Sequence, residues 1–136
     1  MKNVAKTFLL VLTVALLVVG AQSQSTALMK GIIPFDFVVG SQTLASGEYT
    51  VKTITPDPEI EGWYGPDGHA FILRTIPLGA PGEGSKLVFH RYGDRYFLAE
   101  VWSRGESHQV VANSSERQIA SNHRFETVAV LMTSRR

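Results

Sequence analysis

Bulky apolar residues alternate with polar ones in short bursts along most of this chain, and glycine and proline separate the bursts. Ile33, Phe35, Phe37 and Val39 fall at every second position, the signature of a strand with one buried face. Pro34 lacks a ladder donor, which places it near the start of that strand or on an edge. After the break at Gly40-Ser41-Gln42, a second strand is predicted over 48–54. Tyr49, Val51 and Thr53 share one of its faces, and Gly47 before it supplies a backbone angle that other residues avoid.

Thr55-Pro56-Asp57-Pro58 is a loop, because each proline restricts itself and its predecessor. Segments 59–64 and 69–76 flank the turn sequence Gly65-Pro66-Asp67-Gly68 and are predicted to form a hairpin. Segment 77–84, with two prolines and three glycines, reads as an exposed loop. A second hairpin joins 86–90 to 95–102. With 91–94 as its loop, His90 faces Arg95 and Phe89 faces Tyr96. Asn113 or Ser114 is placed to cap a short helix through 116–120. Segment 125–132 is apolar at both parities and rich in β-branched residues. That suits a strand covered on both faces, or one end of a strand in a closed barrel. The fold class expected is all-β: an antiparallel β-sandwich or flattened β-barrel of six to eight strands with one short C-terminal helix, preceded by a signal peptide.

The amino-terminal segment breaks the pattern. Lys2 and Lys6 precede an apolar run over 7–19, and Gly20, Ala21, Ser23, Ser25 and Ala27 then offer small residues to a peptidase. A cleaved signal peptide over 1–21 is expected, with Val19 and Ala21 at the two recognised positions. Cleavage after Ser23 or Ala27 is the alternative. An uncleaved anchor fits less well, since the run is shorter than the ~20 residues that span a bilayer and turns polar at Gln22. One β-rich domain is expected over 22–136, exported to the periplasm or beyond the cell, with no membrane span after signal cleavage. A small outer-membrane barrel needs at least eight strands of ~9–11 residues, which the Pro/Gly loops leave no room for.

Charge narrows the partners. The chain has 13 basic and 12 acidic residues; setting aside Lys2 and Lys6 leaves 11 basic, interspersed rather than clustered. Nucleic-acid binding, which asks for a basic stripe, is not expected. The absence of cysteine excludes disulfides, thiolate metal sites and cysteine nucleophiles.

A resemblance adds to this reading. Ile33-Pro34-Phe35-Asp36-Phe37-Val38-Val39-Gly40, followed by Leu44-Ala45-Ser46-Gly47-Glu48-Tyr49-Thr50-Val51, resembles the opening of a group of short exported bacterial proteins. Leu87-Val88-Phe89-His90-Arg91-Tyr92-Gly93-Asp94-Arg95-Tyr96-Phe97-Leu98, ending at Trp102, resembles that group's second signature, and Ser114-Ser115-Glu116-Arg117 a weaker third. Ala45 stands where members often have proline. The resemblance implies export and an all-β fold, and carries over no catalytic residues.

The densest polar cluster supplies the candidate ligand-binding residues: His90, Arg91, Tyr92, Asp94, Arg95 and Glu100. A histidine near carboxylates suits acid–base chemistry, and paired arginines suit a carboxylate or phosphate. The plainer reading is a hairpin tip whose charges face water, where exposed pairs contribute only ~0–1 kcal/mol. The histidines at 69, 90, 108 and 123 lack the spacing that sets two imidazoles on one metal, and no Gly-x-Ser-x-Gly elbow or phosphate loop is present. No catalytic residue, metal ligand or cofactor is therefore assigned. Asp57, Glu59 and Glu61 alternate and read as a solvated face. Two function classes remain: an exported non-enzymatic β-domain that binds a ligand or envelope partner, and a small enzyme using His90, Arg95 and Glu100. The first is expected.

Overall fold

The computed structural model describes residues 27–81, 84–103 and 105–134. The expected signal peptide over 1–21 lies outside these residues. Among them, strands pair into two sheets that face each other across one apolar core, an all-β sandwich rather than a closed barrel. The first sheet contains β1 (Ala27–Ile33), β4 (Gly47–Thr53), β5 (Ile60–Tyr64), β6 (Ala70–Arg74) and β12 (Thr133–Ser134), in the order β12-β1-β4-β5-β6. The second contains β7 (Ile76–Pro81), β8 (Lys86–Tyr92), β9 (Arg95–Ser103), β10 (Glu106–Gln109) and β11 (Glu126–Leu131), in the order β11-β8-β9-β10-β7. The short strands β2 (Phe37–Val39) and β3 (Gln42–Leu44) pair with each other, and β2 lies parallel to β9 at Val38 and Phe97.

The described residues thus form twelve strands rather than six to eight. Two sheet switches account for part of the excess. The alternation through Ile33, Phe35 and Phe37 predicts one strand, but the chain leaves the first sheet at Ile33 and enters the second at Phe37. Segment 69–76 likewise divides at the fully buried Thr75, with β6 in one sheet and β7 in the other. The expected loop over 77–84 begins as β7, an edge strand where the missing donors of Pro77 and Pro81 are tolerated. The apolar residues of β1 follow no single parity, so alternation along the sequence does not mark this strand.

The core is aromatic. Trp63, Tyr49, Phe37 and Phe89 are fully enclosed, and Phe37 meets the rings of both Tyr49 and Phe89 edge to face at 5.2 and 5.4 Å. Phe35, between the sheets, stacks on Tyr96 at 3.7 Å. Tyr49 donates its hydroxyl to the Ala45 carbonyl at 2.6 Å, so its polar end is satisfied although the ring is buried. Each such ring removes ~150–250 Å² from water. That is how strands this short assemble a core without disulfides.

Both predicted hairpins form, with one change of register. The β8–β9 loop is Gly93-Asp94 alone, because Tyr92 already pairs with Arg95. His90 consequently faces Phe97, not Arg95, and Phe89 faces Leu98, not Tyr96. Further along, Val88 pairs with Glu100, so Ala99 is an extra residue, a bulge on β9. The bulge reverses the parity of β9, which explains why Leu98 and Val101 both reach the core. Segment 125–132 is not covered on both faces: β11 is the sheet's edge, with Val128 and Val130 against the core and Thr127, Ala129 and Leu131 exposed.

Candidate functional site

The outer face of the second sheet is not left to water. After Gln109 the chain runs along β9, with the Val110 amide donating to the Ala99 carbonyl at 2.8 Å, and then turns into the predicted helix, α1 (Ser114–Ala120). Asn113 is its cap. The side-chain oxygen accepts from the Glu116 amide at 2.7 Å, and the side-chain nitrogen donates to the Gly40 carbonyl in the β2–β3 turn. One residue thus starts the helix and ties it to the sandwich.

This placement carries Glu116 inward until it is almost fully buried. Its Oε1 lies 3.2 Å from His90 Nδ1 on β8 and accepts from the Tyr92 hydroxyl at 3.5 Å. Phe125, arriving from the other end of the helix, stacks on His90 at 3.9 Å and 21°, and tilts against Tyr92 at 5.8 Å. Tyr92 also meets Phe97 edge to face at 5.6 Å. Burial first, and then the charge and hydrogen bond of Glu116, hold the Tyr92 phenol above its ordinary value. Beside these groups lies an open recess of about 210 Å³ between α1 and the sheet. His90, Glu100, Gln109, Glu116 and Arg117 supply its polar lining, and Tyr92, Val110 and Phe125 are among its other walls.

The structure divides the six residues expected from sequence. His90, Tyr92 and Glu100 line the recess, and Glu100 is steadied by the Trp102 indole, which donates to it at 2.7 Å. Arg91 points away. It donates to the Gly93 carbonyl at 2.7 Å, pairs loosely with Glu126 at 3.8 Å and lies over the Tyr96 ring. Arg95 lies 5.1 Å over Phe97 near the hairpin tip, and Asp94 is an exposed turn residue. Neither lines the recess. Sequence reasoning missed Glu116 and Phe125 as partners of His90. The signal available was Glu116 three residues after a capping Asn113, which marks a first-turn acid but not what it reaches.

A second polar group joins the two sheets at Thr75. His108 of β10 is buried; its Nδ1 lies 3.1 Å from the Thr75 hydroxyl and its Nε2 lies 3.3 Å from Glu106. Glu61, read from sequence as part of a solvated face, is instead only 2% exposed and accepts from the Trp63 indole at 3.3 Å. Burial raises its carboxyl above the ordinary range, opposed by that hydrogen bond and by the charge of His108. Among the described residues, no three His, Asp or Glu side chains are grouped to hold a metal ion, and no helix is long and apolar enough to cross a membrane. Compared with known proteins, the chain matches no family model, no curated protein and no solved structure.

Proposed function

We propose that the protein is an exported, non-enzymatic binding domain that takes a small envelope or extracellular ligand in the recess between α1 and the second sheet. The observation that carries this reading is the convergence of His90, Glu100, Glu116 and Arg117 on one open hollow walled by aromatic rings. A few polar groups set in an apolar wall are what orient a bound molecule. The hollow of about 210 Å³ is smaller than the ~300–1,000 Å³ of pockets that enclose drug-sized ligands. The ligand is therefore small, or only one end of it is held. Export rests on the apolar run over 7–19 and on the resemblance of the two longer signatures to exported proteins.

The enzymatic alternative built on His90, Arg95 and Glu100 has less support, because Arg95 stands apart and the recess lining contains no serine or threonine hydroxyl. The test is a panel of small sugars, amino acids and carboxylates followed by amide NMR. Shifts confined to residues around His90 and Glu116, and lost in Phe125→Ala with the fold retained, are the expected result. Shifts elsewhere, or turnover abolished by His90→Ala, overturn the reading. Cell fractionation tests export: recovery at full length in the cytoplasm refutes it.

A further inference from the structure

On the reading of the recess beneath α1 as a ligand site, we infer that its ligand presents a primary ammonium group, seated between the carboxylates of Glu100 and Glu116. Glu116 is only 5% exposed. Its Oε1 takes both the His90 and the Tyr92 contacts, and its Oε2 has no hydrogen-bond partner among the described residues. Every fully enclosed side-chain nitrogen and oxygen among those residues does have a partner, so Oε2 is open to the recess that Glu116 lines. Glu100 repeats the arrangement. Its Oε2 accepts from the Trp102 indole at 2.7 Å, and its Oε1 has no partner among the described residues.

No lysine or arginine among the described residues neutralises either carboxylate. The ion pairs those side chains make join Lys30 to Glu48 and Arg91 to Glu126. Lys86 lies two residues along β8 from Val88, the partner of Glu100, but its Nζ sits 4.2 Å over the Trp102 ring. His90, set against Glu116 Oε1, carries charge only when protonated. A buried carboxylate without a cation is costly, and a cation from outside relieves that cost. The ladder supplies a third acceptor. Gln109 on β10 stands directly opposite Glu100 on β9, and both line the recess. Side chains so placed start ~4.5–5.5 Å apart at Cβ. An ammonium group has three donors, and Glu116 Oε2, Glu100 Oε1 and the Gln109 carbonyl offer three acceptors. Phe125, 47% exposed and backed by His90, lines the same hollow, and a ring face attracts a cation. A metal ion asks for a closer set of ligands than the described residues group together. An anionic ligand would meet two like charges, with the exposed Arg117 alone to attract it strongly.

Propylammonium, 1-propanol and propionate are alike in size and differ in the headgroup, which makes them the probes. In amide NMR, propylammonium is expected to shift residues around Glu100, Gln109 and Glu116 saturably, and the other two are expected not to. Glu100→Gln keeps an acceptor for the Trp102 indole and removes one charge. It is expected to weaken propylammonium binding by about tenfold or more at unchanged circular dichroism. Arg117→Gln, at an exposed position away from that indole bond, removes the like charge and is expected to tighten binding. Unchanged affinity in a folded Glu100→Gln variant, or weaker binding in Arg117→Gln, overturns the ammonium assignment. Binding in the recess by propanol, propionate or a sugar, but not by propylammonium, overturns it too, while leaving the recess a ligand site. No shift there from these probes or from the wider panel of sugars, amino acids and carboxylates overturns both readings.

Discussion

His90 on β8 and Glu116 on α1 are 26 residues apart in the chain, yet Nδ1 and Oε1 lie 3.2 Å from one another beneath the helix. A seven-residue helix is too short to persist by itself, since isolated helices below ~12–15 residues are marginal in water. Its docking therefore rests on this contact and on the Asn113 cap. Glu116→Ala leaves the Tyr92 hydroxyl and His90 without their buried acceptor, a loss of ~1–3 kcal/mol. Urea denaturation is expected to show that loss. Amide exchange of 113–123 is expected to accelerate before that of β8 and β9; uniform acceleration would mean that α1 is not a separable element.

The phenol of Tyr92 reports on the same site. Burial, and then the Glu116 carboxylate, raise its ionisation above the ordinary value of ~10. Burial chiefly does the same for Tyr49, with Asp36 adding to it. A phenol whose pKa is higher in the fold contributes stability that is complete below its unfolded pKa and is lost as pH rises through the folded one. Ultraviolet titration of the folded protein is expected to show a late component beyond pH ~10 that loses one phenol in Tyr92→Phe. In Glu116→Gln the Tyr92 part of that component is expected to move down. An unchanged late component in Tyr92→Phe would refute the assignment.

Glu61 gives a prediction of opposite practical sign to the usual surface carboxylate. Its raised pKa means that the fold prefers the protonated form, chiefly because of burial. The stability it contributes is present in acid, below the unfolded carboxyl's ~4.3, and is lost as pH rises through the folded value. Glu61→Gln keeps an acceptor for the Trp63 indole and removes the buried charge. Its melting temperature is expected to exceed that of the parent at pH 7.5 by a few degrees, where ~1 kcal/mol corresponds to ~4 °C. The advantage is expected to shrink toward pH 4. A variant less stable at pH 7.5 would show that the attraction of His108 outweighs the burial cost.

Those two carboxylates also show where sequence reading stops. Alternation identified the Tyr49 and Val51 face of β4, and turn chemistry found both hairpins, because these signals are local. Alternation does not say which sheet a strand belongs to. The apolar rhythm of Ile33, Phe35 and Phe37 continues unbroken while the chain changes sheets. The Ala99 bulge leaves a similar ambiguity, since Phe97, Leu98 and Ala99 are all buried in succession. Three of the six candidate site residues reach the recess because His90 and Tyr92 share a strand parity and Glu100 regains it after the bulge. Glu116 and Phe125 come from beyond β10 and meet His90 only through tertiary packing, and no local pattern encodes that meeting.

Gly47 opens β4 at φ +148°, as the sequence predicted for a position with an unusual backbone angle. It also lies close to the 3-10 turn Pro66–Gly68, so that a Cβ placed there would come within 2.9 Å of the Pro66 ring. Alanine at this position meets two obstacles, an angle that L-residues rarely adopt and a rigid ring in the way. Strained backbone of this kind costs ~1–3 kcal/mol, and Gly47→Ala is expected near the top of that range. Gly68, at φ +72° in the same turn, has open space where its Cβ would stand. Gly68→Ala carries the conformational cost alone and is expected to lose ~1 kcal/mol. Equilibrium unfolding of the two variants separates the contributions. Equal losses would show that the Pro66 ring yields, and that contact between turn and strand would then play no part in setting where β4 begins.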